Sequence, residues 1–366
     1  MIGFKVKSIL TISLLFFSSF IFFYNQASYA SPRVGKVDPN DTGDFFPILT
    51  GQSSPPTIGS EVSNSTTDTL YLPMIQGSTD PNPNQNPNST WLTYLNLFRE
   101  QANLNPLWEN EEWSNGGFLH SRYMVKNNYI THYENPDNIW YTEEGYDAGR
   151  NGNVFVSSYD GTTDEMAINF WMMGPFHAIS MLDPQLHQTS LGCYREDIGG
   201  WEMGGTLDVL RGRQGTPPGT TFPLPYPRDG GQTWLRKYTG NEWPDPLTSC
   251  PGYTAPSGPP IMLQIGEGNL TPNVTDYRLS SGGSSLPACL FDETTYVNPD
   301  SGTQSLGRAV LNSRDAIIIM PRDPLVSGQE YDVSVTVNGS KIEWSFSVVN
   351  SPLNASPATW FTYEMR

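Results

Sequence analysis

Two histidines in this chain stand where side chains could do chemistry. His132 lies in Ile-Thr-His-Tyr and His177 in Gly-Pro-Phe-His-Ala-Ile, each beyond an amphipathic segment, Phe118 to Asn127 and Asp164 to Met173. Two neutral imidazoles and a carboxylate suffice for a catalytic-type zinc site with an open position. Such a site can activate water. The carboxylate has candidates in Glu143, Glu144 and Glu165, and Glu144 is the first choice because it precedes Gly145 in the same loop as His132. The competing readings are structural: His132 bonds loop backbone and His177 packs on Trp171. His120, beside the apolar face of a helix, reads as a satisfied structural histidine, and His187 as exposed. No Gly-x-Ser-x-Gly, His-Glu-x-x-His or phosphate-loop pattern occurs. Ser121 neighbours His120, but adjacent helical residues point apart. The enzymatic case therefore rests on the histidine pair.

The elements that must position these residues follow from apolar spacing. A helix is expected from Ser89 or Thr90, with Leu92, Leu95 and Phe98 inward and Asn96 and Arg99 outward, broken by Asn103-Leu-Asn-Pro-Leu. A second helix begins near Ser114, buries Phe118, Tyr123 and Met124, and ends at Asn127-Asn128. Tyr129 to Asn153 reads as a loop and Val154 to Val156 as a short strand. Thr162-Thr-Asp164 caps a third helix whose inner face carries Ala167, Ile168 and Trp171. Pro175 forces an exit, with His177 on the turn beyond. Leu191 to Tyr194 and Thr206 to Leu210 complete a small sheet, giving an α+β layering.

From about residue 216 the composition turns to Pro, Gly and Thr with short alternating strands. Val333, Val335 and Val337 precede Asn338-Gly339, and Ile342, Trp344, Phe346 and Val348 follow it, the signal of a type I′ hairpin. Ile261 to Ile265 and Ala316 to Met320 add strands, and the region reads as an immunoglobulin-like β-sandwich.

Leu95-Asn96, Arg99, Asn105-Pro-Leu-Trp108, His120-Ser121, His132, Gly149-Arg-Asn151, Trp171-Met-Met-Gly-Pro-Phe-His177 and Leu182-Asp-Pro together resemble the CAP superfamily, also called SCP-like. The resemblance covers residues 91 to about 210 and implies an α-β-α sandwich. It implies a cleft with two histidines and two glutamates, which in some members binds a divalent cation such as zinc. The histidines carry over onto His132 and His177. The glutamates do not: Arg150 stands in the family's Gly-Glu-Asn, and the acid that follows the Trp by one turn falls at Gly174. Arg150 would repel a dication. Glu144 is expected to substitute, with Arg150 and Asn151 on the same cleft. Lipid and sterol binding are described for some members, and the many aromatic residues of the region fit an apolar-walled cleft.

Residues 1–30 have the layout of a signal peptide: Lys5 and Lys7, the apolar run Ile9 to Phe23, and small residues in Ala27-Ser-Tyr-Ala30. An uncleaved anchor is the competing reading. No other stretch is apolar enough to span a membrane. Residues 31–90 form a linker too poor in apolar residues to order itself, apart from the island Leu70-Tyr-Leu-Pro-Met-Ile75. Residues 91–215 and 216–366 are the two expected domains. The net charge of -17 argues against nucleic acid and anionic headgroups as partners. Of three cysteines, Cys250 and Cys289 could pair in an oxidising compartment, and Cys193 reads as a buried strand thiol. Asn88, Asn269 and Asn338 begin glycosylation sequons. The leading expectation is a secreted, non-enzymatic binding protein for a small apolar or peptide ligand, with zinc as a candidate cofactor. The alternatives are a metal-assisted hydrolase or protease, and a structural envelope or adhesion component.

Overall fold

A computed structural model of the chain describes residues 90–352. The signal-peptide, linker and apolar-island readings, and Ser89 and Asn88, lie outside the described residues.

The first layers are α-β-α. Helix α1 (Thr90–Glu100) leads through β1 (Trp108–Glu109) to α2 (Glu111–Asn127), then α3 (Glu143–Arg150), β2 (Gly152–Ser157), α4 (Asp164–Met173) and α5 (Pro175–Met181). Strands β3 (Gln188–Thr189), β4 (Leu191–Arg195) and β5 (Met203–Asp208) follow. The antiparallel sheet runs β2-β5-β4, while β1 pairs in parallel with β3. Helix α2 lies directly on the β4 and β5 backbone. A Cβ on Gly117 would sit 2.9 Å from Gly192 N, and one on Gly204 2.6 Å from Ser121 O. Ser121 Oγ donates to Gly192 O at 2.7 Å, so the close approach is also a polar bond. The opposite face takes α4, whose Trp171 Nε1 donates to Val154 O at 3.2 Å. Helix α1 backs α4, with Tyr94 Oη bonded to Asn169 Oδ1 at 2.7 Å.

Several local expectations change. Helix α2 starts at Glu111 under Asn110, whose side chain accepts from Trp113 N, and Phe118 faces outward at 39% exposure. The expected loop after Tyr129 contains α3, capped by Thr142. Pro175 starts α5 rather than ending the chain's helical run, and His177 lies within that helix. Proline at a first helical position loses no intrahelical bond and presets φ. Arg99, expected outward, is buried. Its guanidinium donates to the carbonyls of Asn105, Met181, Asp183 and Leu186. Burial lowers its pKa to about 10, so it stays charged at neutral pH.

The later strands form two sheets. β6 (Leu224–Tyr226), β8 (Ile261–Gln264), β11 (Ala288–Phe291) and β12 (Ala316–Pro321) lie in the order β11-β12-β8-β6. β7 (Gly231–Thr233), β9 (Val274–Ser281), β10 (Ser284–Leu286), β13 (Glu330–Val337) and β14 (Ser340–Val348) lie in the order β10-β9-β13-β14-β7. The β13–β14 hairpin turns at Asn338, φ 50°, and Gly339, φ 77°, as a type I′ turn requires. Helix α6 (Ser301–Asn312) precedes β12. The run Ala-Ile-Ile-Ile-Met on β12 is apolar throughout because both of its faces are covered. Ile317 and Ile319 join Val333, Val335 and Phe346 of the five-stranded sheet. Ala316, Ile318 and Met320 join a second core with Phe176, Trp171 and α6.

That second core crosses position 215. Phe98 and Trp234 have ring centroids 4.4 Å apart, and Phe176 meets Tyr296 edge-on at 5.0 Å. Asp183 Oδ2 lies 2.8 Å from Arg213 Nε and 3.1 Å from Arg314 Nε, with Asp183 and Arg314 both buried. Cys250 and Cys289 form a disulfide. Cys193 is a free cysteine whose thiol burial holds well above its ordinary range.

Removing Asp183 leaves a buried guanidinium without its anion. Asp183→Ala is expected to cost about 3–5 kcal/mol in denaturant unfolding of the full chain. A change within experimental error would show that the ion pair does not couple the layers.

Candidate functional site

Helix α3 carries glycines one turn apart, Gly145 and Gly149, on the face that meets a buried pair. That pair is His120 and Glu134, with Nδ1 3.0 Å from Oε1. A Cβ at Gly145 would overlap Glu134 Oε1, and one at Gly149 would lie 2.5 Å from His120 Nε2. His120 Nε2 also faces Thr131 O at 2.7 Å. A backbone carbonyl can only accept, so Nε2 is the donor to Thr131 O. Glu134 Oε2 accepts from Thr142 N at 2.9 Å, which fixes the start of α3.

His132 sits on the other side of this junction, with Nδ1 2.8 Å from Gly149 O. His177 reaches the same junction through its carbonyl, 3.4 Å from Asn153 Nδ2. The stretch Gly149 to Asn153 thus ties both histidines, which are 4% and 1% exposed. Asn151 caps α3 and its amide bonds Asp147 O. Arg150 is half-buried, its guanidinium 5.8 Å from the Tyr146 ring. Glu144 is exposed on the first turn of α3; the carboxylate buried beside Gly149 and His120 is Glu134. His187, half-buried, faces Gly215 O through Nε2 at 2.9 Å.

The second carboxylate comes from beyond the first layers. Helix α5 begins on Gly174 and Pro175, with no side-chain cap of its own. Glu242 Oε1 accepts from His177 N at 3.0 Å and lies 2.9 Å from His177 Nδ1. It takes the place of an N-cap side chain, which normally satisfies the third backbone N–H of a helix. A Cβ at Gly174 would lie 2.5 Å from both Cδ and Oε1 of Glu242. Only glycine leaves room for the visiting carboxyl. The segment bearing Glu242 is anchored at both ends: Tyr238 and Ser257 exchange backbone bonds, and Tyr296 Oη donates to Asp245 O at 3.0 Å. Burial holds Glu242 well above the usual carboxylate range, and backbone N–H donors from His177 and Phe176 act against it. Its Oε2 is buried and has no hydrogen-bond partner.

Glu134 and Glu242 were both missed from sequence. Glu134 stands two residues after His132 in His-Tyr-Glu, a usable signal. Glu242, 65 residues from His177, carries no local mark. Among the described residues, no group of three or more His, Cys, Asp or Glu side chains could hold a metal ion.

An α-β-α sandwich with both histidines tied to one helix–strand junction defines the class. Residues 92–200 match the family model CAP, the cysteine-rich secretory protein family. The chain carries a CAP domain. No curated protein and no solved structure matches it.

Because the folded pKa of Glu242 is raised, its proton is kept after the unfolded chain has lost its own. The group's contribution to stability is full at acid pH and falls as pH rises through the folded value. Glu242→Gln should remove that slope and unfold at nearly the wild-type midpoint in mild acid. Glu242→Ala strands the donors of α5 and should cost about 1–3 kcal/mol. Adding Gly174→Asp should recover much of this by capping the helix in cis. Equal midpoints for Glu242→Ala and wild type would show that the contact contributes nothing.

Proposed function

We propose that this chain is an extracellular, non-catalytic binding protein whose CAP domain is packed into one body with a C-terminal, immunoglobulin-like two-sheet region. Export is supported by the signal-like leader and by the Cys250–Cys289 disulfide, a bond at home in oxidising compartments. The C-terminal assignment is supported by two mainly antiparallel sheets sharing one core.

The observation that carries the non-catalytic reading is the burial of His177 with Nδ1 against Glu242. A general base needs its ring nitrogen within reach of a substrate proton or a water. Both imidazoles are buried, 1% exposed at His177 and 4% at His132, so neither ring is open to a substrate from solvent, and their Nδ1 atoms bind the chain's own Glu242 and Gly149 O. The residues at this junction serve to hold α3, α5 and β2 together, and ligand recognition falls to the outer surface. A structural envelope role is the second reading, favoured by the same closed junction.

Zinc titration calorimetry and a general protease and esterase screen on the full chain test this, with His132→Asn/His177→Asn beside wild type. Asparagine keeps a donor near the place of each Nδ1. The expected result is no saturable zinc binding and no turnover that depends on the two histidines. Saturable binding with hydrolysis, both lost in the double variant, would establish the hydrolase instead.

A further inference from the structure

Six of the ten large apolar side chains that are exposed among the described residues belong to the CAP region, Phe118, Tyr129, Tyr133, Ile139, Tyr159 and Ile198. Two of them, Phe118 and Tyr133, stand at the ends of a track of rings carried by α2, α3 and the segments beside them, whose other rings are half-buried. Phe118 and Tyr194 meet at 5.5 Å, edge to face. Lys126 then bridges Tyr194 and Trp140, with its ammonium 5.9 and 5.1 Å from the two rings. Arg122, one helical turn before Lys126, covers Trp140 at 5.4 Å. The next residue, Tyr141, leads on to Tyr146 at 6.3 Å and from there to Tyr133 at 6.2 Å.

The track mixes rings with polar groups along its whole length. Glu196 holds both the Tyr194 hydroxyl and Lys126. Arg150 lies over Tyr146, and burial together with the carboxylates of Glu143, Glu134 and Asp147 raises the Tyr141 hydroxyl. A protein–protein hot spot concentrates charge at its rim and depletes it from the centre. This surface does not. Rings set edge-on or tilted to one another, with polar groups between them, suit an extended polymer that offers an apolar face at successive units. Single-stranded nucleic acid is read this way, but in a groove of positive potential. A chain of net charge -17 repels a polyanion. The polymer that remains is uncharged, has apolar C–H faces for the rings, and has hydroxyls for the carboxylates and guanidinium groups.

We infer that the ring track from Phe118 through Trp140 to Tyr133 is a binding surface for a neutral polysaccharide. This rests on the non-catalytic binding reading and names its ligand class.

The test is affinity electrophoresis of the full chain in gels containing soluble β-glucan, galactomannan or starch, with co-sedimentation on chitin and cellulose. The expected result is retention on at least one of these. Tyr133→Ala and Trp140→Ala should each weaken it about tenfold, the scale of one lost stacking contact. Tyr277→Ala, an exposed ring on β9, should leave it unchanged. Trp140→Phe, which keeps a ring and guards against misfolding, should retain most of the binding. Retention on none of the polymers, retention only on a sulfated polyanion, or retention undiminished in both alanine variants would overturn the inference. New reducing ends released from a bound polymer would overturn the non-catalytic reading and leave the surface in place.

Discussion

A helix that starts on glycine and proline, deep among aromatic rings, leaves backbone N–H groups that no water can satisfy. The chain answers this at α5 with Glu242, a carboxyl brought from a segment after position 215. Because it fills the space a side chain at Gly174 would take, the contact is steric as well as polar. Its consequence reaches past one helix. The CAP layers expose α1 and α5 on the side away from α2, and that side is covered by Trp234, Phe291, Tyr296 and the inner face of β12. Glu242 pins the register of this covering to the histidine junction.

The same economy of position governs the other polar groups. Arg99 gathers four carbonyls at the places where α1 and the α5 exit would otherwise leave them unpaired. Asp183 stands between Arg213 and Arg314 and links the end of the CAP layers to the turn after α6. His120 and Glu134 support the glycine face of α3, so that the junction from Gly149 to Asn153 can hold His132 and His177. In each case a buried polar side chain finds its partners on more than one segment. His132 and His177, which family resemblance associates with a cleft, are buried at this junction.

How much of this was legible in the sequence depended on how local the determining physics is. The Asn338-Gly339 hairpin, the Thr163 cap of α4 and the existence of strand β12 are set by residues next to one another, and all three are readable, whereas the burial of both β12 faces is not. The order of His132, Gly149-Arg-Asn151 and His177 identified the first domain. Helix α3 was missed because two glycines interrupt its short pattern, although Thr142 followed by Glu143-Glu144 is a usable start signal. Helix α5 is hidden because Pro175 reads as a stop, whereas proline is also favoured at the first position of a helix. Apolar spacing puts Arg99 opposite Leu92, Leu95 and Phe98, and spacing does not register that a guanidinium with five donors can satisfy several carbonyls at once. Glu242 lay beyond reach, since nothing near it in sequence points to His177.

The most direct test of the account is the state of His177 in the intact chain, observed by nitrogen-edited NMR of its ring and backbone amide. If Glu242 caps α5, the ring proton resides on Nδ1, and both it and the His177 amide exchange slowly with solvent. Both signals should change in Glu242→Ala. A ring that exchanges at solvent rates, indifferent to residue 242, would mean that the junction is open and that the histidines remain available for chemistry.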